Sequence, residues 1–241
     1  MTPTKDRGWL KEIYRNLPNI VSILGVVPLS LLLLEDGFSY LPALIVYNNF
    51  MDDLDGILAR ELHLSSDFGA RLDNVADAVS HILIALVVGA QYGGIVLGFS
   101  VVAVAAILVR VVQRLAPSPV YGIGSPTNEL MRHLLLLVVL QDAFSLDITA
   151  YLVAAYLFNS VSMLVPFSMP QLVRARAKSV VAILMVNVAL AVAWIVSTGA
   201  PLDPPAGLVP LAVAAAFFGT YLYSFAVGGF SWLRSGFPVR G

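Results

Sequence analysis

The chain contains no cysteine, which excludes disulfides and thiolate metal sites. Charge is also scarce. Only 12% of the 241 residues are Asp, Glu, Lys or Arg, about half the roughly 25% of a soluble domain. A net charge of −1 makes no case for nucleic acid, and none is expected as a partner. Internal repeats and low-complexity linkers are missing too, so one domain is expected. Apolar residues fill the space, at 59% with a mean hydropathy of +0.85. They come in runs of about 20, the length that crosses a bilayer. The expected fold is an all-α polytopic membrane bundle.

Eight spans are expected, with cores near 19–34, 39–60, 68–91, 94–114, 128–141, 147–168, 178–196 and 206–227. Turn-like breaks separate them at Glu35-Asp36-Gly37, Gln91-Tyr92-Gly93-Gly94, Ser197 to Pro201, and Pro204-Pro205. Residues 1–17 mix polar and apolar types and do not read as a cleavable signal peptide. Trp9, Leu10, Ile13, Tyr14 and Leu17 share a helical face, with Lys5, Arg7, Lys11 and Arg15 elsewhere, as in a helix lying in the membrane interface. Residues 18–241 then form a single transmembrane catalytic domain, with a core over 18–170 and two added helices over 178–227. With the N-terminus in the cytoplasm, every Lys and Arg falls on the cytoplasmic side, including Arg174, Arg176, Lys178, Arg234 and Arg240. The external loops hold only Glu35, Asp36, Asp142, Asp147 and Asp203. That asymmetry is the positive-inside pattern. A prokaryotic cytoplasmic membrane is expected.

Four carboxylates interrupt this apolar chain. Asp52 and Asp55 stand three positions apart, and Asp73 and Asp77 four apart, so each pair shares one helix face. Ionisable groups at membrane depth cost a few kcal/mol or more each and mark function. If the two helices pack across the short connection 61–67, the pairs converge. Oxygen ligands without His or Cys suit Mg²⁺ or Mn²⁺ rather than Zn²⁺, and four carboxylates can hold two such ions against a pyrophosphate. Gly56, Ala59 and Gly69 allow close approach to the backbone, and Arg60 and Arg71 can fork onto phosphate oxygens. Asp53 points about 100° away from Asp52 on a helix and is not expected to be a ligand.

The pattern D-x-x-D-G-x-x-A-R, eight residues, then G-x-x-x-D-x-x-x-D is matched by Asp52, Asp55, Gly56, Ala59, Arg60, Gly69, Asp73 and Asp77. It resembles the signature of the CDP-alcohol phosphatidyltransferases, as does the preceding Leu17-Pro18-Asn19-Ile20-Val21-Ser22. The resemblance implies a CMP-releasing transfer. A CDP-linked donor, usually CDP-diacylglycerol, binds through its pyrophosphate and two metal ions, and an alcohol attacks the lipid-bearing phosphorus. Carried over by position, Asp52, Asp55 and Asp73 are metal ligands. Asp77 takes the acceptor's proton while also able to touch a metal. Gly56, Ala59, Arg60 and Gly69 belong to the donor site. The resemblance also suggests a homodimer.

The acceptor is less specified. Leu72 to Ser80, and the loop Tyr121-Gly122-Ile123-Gly124-Ser125-Pro126, resemble the serine-using branch. Against it, His81 replaces an expected Phe, and the usual Gly-x-Ala-Pro is absent. L-Serine is the expected acceptor; glycerol 3-phosphate, an inositol phosphate or another small polar alcohol are the alternatives. His81, one turn beyond Asp77, and Arg71, Arg110, Arg114 and Arg132 are candidate acceptor contacts. The bland readings are a satisfied buried His and ordinary cytoplasmic flanking charge. Asn48 and Asn49 are either packing or supporting groups, His63 and His133 are structural, and Glu129 is placed to pair with Arg132 at i+3. A rival class, a cation-coupled transporter, would place polar groups at the midplane of repeated halves, whereas these cluster in one hairpin.

Overall fold

A computed structural model describes residues 8–117, 124–170, 180–198 and 204–236. Lys5, Arg7, Pro119, Tyr121, Gly122, Ile123, Arg174, Arg176, Lys178, Gly199, Ala200, Pro201, Asp203 and Arg240 lie outside them. The described elements are helical, with no strand among them. They are α1 (Gly8–Arg15), α2 (Leu17–Val26), α3 (Leu41–Glu61), α4 (Asp67–Tyr92), α5 (Gly94–Leu115), α6 (Asn128–Phe144), α7 (Thr149–Leu164), α8 (Val180–Ser197) and α9 (Pro204–Arg234). Past Val26 the chain tightens into a 3₁₀ stretch, Val27–Leu33, where Pro28 brings no N–H to an α-helical ladder.

Each expected span coincides with a helical segment, but length and composition alone support fewer crossings. Asp67–Tyr92, Gly94–Leu115 and Ala206–Arg234 are long and apolar enough to cross a membrane. A fourth is added if Gly8–Arg15 and Leu17–Leu33, bent by 61°, count as one span. The reasons are local. Helix α3 carries Asp52, Asp53, Asp55, Arg60 and Glu61, while α6 and α7 are only 17 and 16 residues long.

Helix α6 is the pillar of the bundle. Every residue from Leu130 to Val139 is buried, because α3, α4, α7, α8 and α9 all pack on it. A helix enclosed on all sides has no need of an amphipathic stripe, and Leu134 to Leu140 has none. The outer helices turn apolar side chains outward instead. Val101 and Val112 on α5, Val181 and Met185 on α8, and Leu208 and Phe230 on α9 are all exposed, as suits a lipid-facing surface.

Small residues set the closest packing. A Cβ on Gly89 of α4 would lie 2.2 Å from Ser100 Oγ of α5, so this pair of helices meets backbone to side chain only because Gly89 has none. Gly93 and Gly94 turn the chain between them at φ 63° and 46°, values open to glycine at little cost. Between α3 and α4 the turn is made by residues 62–66, with His63 at φ 54°. That gives His63 a structural task. Ser66 then caps α4, its Oγ accepting the Gly69 N–H at 3.0 Å, and Asp67 places a negative charge in the first turn.

On α1, Trp9, Leu10, Ile13 and Tyr14 are all about half exposed. The helix packs lightly on α2 and presents an apolar face with no described protein surface over it.

Candidate active site

Helix α3 turns Asp52 and Asp55 inward, and α4 brings Asp73 to meet them. One carboxylate oxygen from each of the three lies within 4.8 Å of the others. Oxygens sharing one Mg²⁺ stand about 3–4 Å apart, given metal–oxygen distances near 2.0–2.1 Å, so the spacing is close to what one cation would draw together. The donor set fits as well, being hard oxygen only. Three like charges at this separation repel by several kcal/mol in a poorly screened environment, and a divalent cation offsets that directly. Asp55 is 5% exposed and accepts a hydrogen bond from the Ser22 hydroxyl of α2. Asp52 Oδ2 accepts from Asn128 Nδ2, at the start of α6, at 2.7 Å.

Asp77 stands one turn further along α4. It lines a small cavity with Asp52, Asp55 and Asp73, but is not in the close trio. Three carboxylates thus group as one ligand set with a fourth beside them, an arrangement that suits a separate task for Asp77. Asp53 faces the other way, accepting from Asn187 Nδ2 of α8 at 2.8 Å.

A cavity of about 190 Å³ opens beside the trio. Gly56, Ala59, Arg60 and Gly69 all line it, and Asp55 and Asp73 form its inner wall. A Cβ on Gly69 would come 3.0 Å from Asn19 Oδ1 and 3.1 Å from Ser66 Oγ, and one on Gly56 3.2 Å from Arg60 Nη1. Side chains at either glycine would take up cavity space. Asn19, Ser22, Ser65 and Ser66 also line the cavity and were not singled out as site residues from sequence. The signal for the first two was the likeness of Leu17 to Ser22 to the family pattern. The two serines have only their place after α3.

The acceptor candidates divide. His81 is 1% exposed, with Nδ1 and Thr127 Oγ1 2.8 Å apart. Arg132 is buried and donates to Glu129 Oε1 at 2.8 Å, the pairing expected at i+3. Arg110 is buried and donates to the carbonyl oxygens of Met163 and Gly124 at 3.2 and 3.5 Å, so it ties α5 to α7 and to the segment before α6. Arg114 is exposed in the last turn of α5. Arg71 is exposed on α4. Asn48 bonds the Gly25 carbonyl at 3.3 Å and Ser80 Oγ at 3.1 Å, holding α2, α3 and α4 together, and Asn49 is buried. His133 stacks on Phe218 with ring centres 4.5 Å apart and meets Asn159 Nδ2 at 2.9 Å through Nδ1, a packing role.

The model of the CDP-alcohol phosphatidyltransferase family matches residues 15–158, about three fifths of the chain, and the chain belongs to this family of transferases of substituted phosphate groups. A curated relative from Pseudomonas fluorescens, a CDP-diacylglycerol–glycerol-3-phosphate 3-phosphatidyltransferase, is 40% identical over 85 residues. That likeness covers 33% of this chain and 43% of the relative, so the chain spans less than half of the relative's length in the match.

Proposed function

We propose that the chain transfers a phosphatidyl group from CDP-diacylglycerol to glycerol 3-phosphate and releases CMP. The cavity where Gly56, Ala59, Arg60 and Gly69 lead onto the carboxylate trio is the observation that carries the donor reading. The relative's stated acceptor supports glycerol 3-phosphate, and the exposed Arg71 and Arg114 offer positive charge. A phosphorylated alcohol rewards such charge. Serine gives way as the preferred acceptor, because its case was two short local likenesses, whereas the relative named for glycerol 3-phosphate matches over 85 residues. Part of that likeness, Tyr121, Gly122 and Ile123, lies outside the described residues.

In this reading Asp52, Asp55 and Asp73, with Asp77 able to share, would hold two Mg²⁺ or Mn²⁺ ions, which would supply positive charge to the pyrophosphate and its transition state. The chain's own groups do the rest. Gly56, Ala59 and Gly69 leave room for the cytidine, and Arg60 contacts the donor phosphates. Asp77 accepts the proton of the attacking hydroxyl. An oxygen–phosphorus bond forms at the lipid-bearing phosphorus, and the bond to the CMP oxygen breaks with its electron pair leaving on CMP. The reading includes eight crossings, α1 in the interface, and both termini and the site on the cytoplasmic side of a prokaryotic membrane. The Lys and Arg distribution supports that orientation. A homodimer belongs to the same proposal.

The test is CMP release by the purified chain with CDP-diacylglycerol and Mn²⁺, offering glycerol 3-phosphate, serine and inositol phosphate in turn, beside Asp77→Asn. Release with glycerol 3-phosphate, cut by about 100-fold or more in the variant, is the expected result. Release with serine alone would return the acceptor to the first expectation. No release from folded protein with any acceptor would sink the reading.

A further inference from the structure

Helices α8 and α9 lie beyond residues 15–158, the part matched to the family. They reach the site by two separate routes that end on adjacent residues. The first is direct. Asn187 on α8 is 5% exposed and donates to Asp53, the neighbour of Asp52. With Asp53 held toward α8, Asp52 is carried about 100° round the helix, toward α4 and the trio.

The second route starts at Tyr221 on α9, 5% exposed. Its hydroxyl shares a hydrogen bond with Ser162 Oγ of α7 and donates to Ser125 Oγ at 3.3 Å. The two serine hydroxyls are 2.9 Å apart, and the Ser125 N–H donates to the Ser162 carbonyl, also at 2.9 Å. Gly124 lies so tightly here that a Cβ would be 1.8 Å from that carbonyl oxygen. The segment pinned in this way runs three residues on to Asn128, whose amide holds Asp52 Oδ2. On the way, Thr127 meets His81.

We propose that Asn187 and Tyr221 are positioning residues for the metal site, holding Asp52 from both sides so that its second oxygen faces Asp55 and Asp73. The proposal rests on the metal-ligand reading above. Neither residue touches donor or acceptor. Both act through Asp53 or Asn128, in the way that groups behind a ligand orient it. The added helices are then part of the catalytic unit rather than a peripheral anchor.

The full chain in detergent is titrated with Mn²⁺ as wild type, Asn187→Ala, Tyr221→Phe, and the exchanged pair Asp53→Asn with Asn187→Asp. Free Mn²⁺, CMP release and thermal stability without metal are followed in parallel. Each single variant is expected to weaken Mn²⁺ binding by about tenfold. CMP release should fall mainly through kcat and recover as Mn²⁺ is raised, while the exchanged pair, which restores a hydrogen bond of reversed polarity, should regain most of the affinity. Mn²⁺ affinity and kcat unchanged within twofold, with only the melting temperature lowered, would overturn the proposal and leave both residues as packing groups. If the wild type binds Mn²⁺ but releases no CMP, the proposed reaction fails while the affinity comparison still decides this one. A wild type that binds no Mn²⁺ would overturn both.

Discussion

Around His133 the buried polar groups meet as donor and acceptor, whereas around Asp52 they meet as like charges. His133, Asn159, Ser125, Ser162 and Tyr221 bond to one another or to backbone carbonyls, with Phe218 stacked on the histidine and Tyr221 edge-on to it. Such a network holds α6, α7 and α9 together, with His133 Nε2 and Asn159 Oδ1 left over as buried polar atoms outside it. The carboxylates of α3 and α4 converge beside a cavity, where Ser22 donates to Asp55 and Asn128 to Asp52. Both groups are costly to bury. The first offsets much of that cost internally. The second brings three carboxylate oxygens within 4.8 Å of one another, a grouping that a divalent cation would favour.

That contrast is broken most severely at Asp55. Asp55→Asn is expected to lower CMP release by about 100-fold to 1000-fold with the fold intact by thermal melting. Chelation should silence the wild type, and added Mn²⁺ should restore it. Full activity in the variant would mean that the trio is not the reactive centre. Gly69→Val tests the cavity. With branches directed toward Asn19 and Ser66, it should raise KM for CDP-diacylglycerol by about tenfold and leave Mn²⁺ affinity unchanged. An unaltered KM would place the nucleotide elsewhere.

Asn159, in the His133 network but off the Tyr221–Ser125 route to Asn128, predicts a stability effect without a catalytic one. Asn159→Ala removes the amide shared between His133 and the Ala155 carbonyl and should cost about 1–3 kcal/mol of stability. CMP release per folded molecule should stay within twofold, and a large fall in kcat would show that the His133–Asn159 pair also supports the site. The smallest effect is expected at Asp147, in the turn before α7. There the Thr149 side chain and N–H, the latter donating at 2.9 Å, hold the carboxyl below its usual pKa. A lowered folded-state pKa stabilises above the unfolded value and is lost as pH falls. Asp147→Asn should therefore lower the melting temperature slightly near neutral pH, and the difference should vanish below the ordinary carboxylate range.

Much of the site was legible in the chain because its residues are close in sequence. Asp52 and Asp55, Asp73 and Asp77, and the glycines between them lie on one helical hairpin, where spacing alone states which side chains share a face. The setting aside of Asp53 followed from the same geometry. The supporting residues were not legible. Ser22 lies 33 positions from Asp55, Asn128 76 from Asp52, and Asn187 134 from Asp53. A single polar residue in an apolar helix carries no periodic signal, and its partner depends on which helices pack together. The span count met a similar limit, since the charges that build the site also lower the hydropathy of the helix that bears them.

The amino-acid sequence by itself determined the helical membrane class, the places where helices start and stop, and the two acidic pairs. These follow from apolar run length, turn residues and the 3.6-residue period, which are local properties. Only the tertiary structure decided that α6 stands at the centre, that three carboxylates converge while Asp77 stands beside them, and that α8 and α9 reach back to Asp53 and Ser125. Those outcomes depend on how closely helices approach one another, as at Gly89 and Gly124, where the missing side chain matters only once the partner helix is in place.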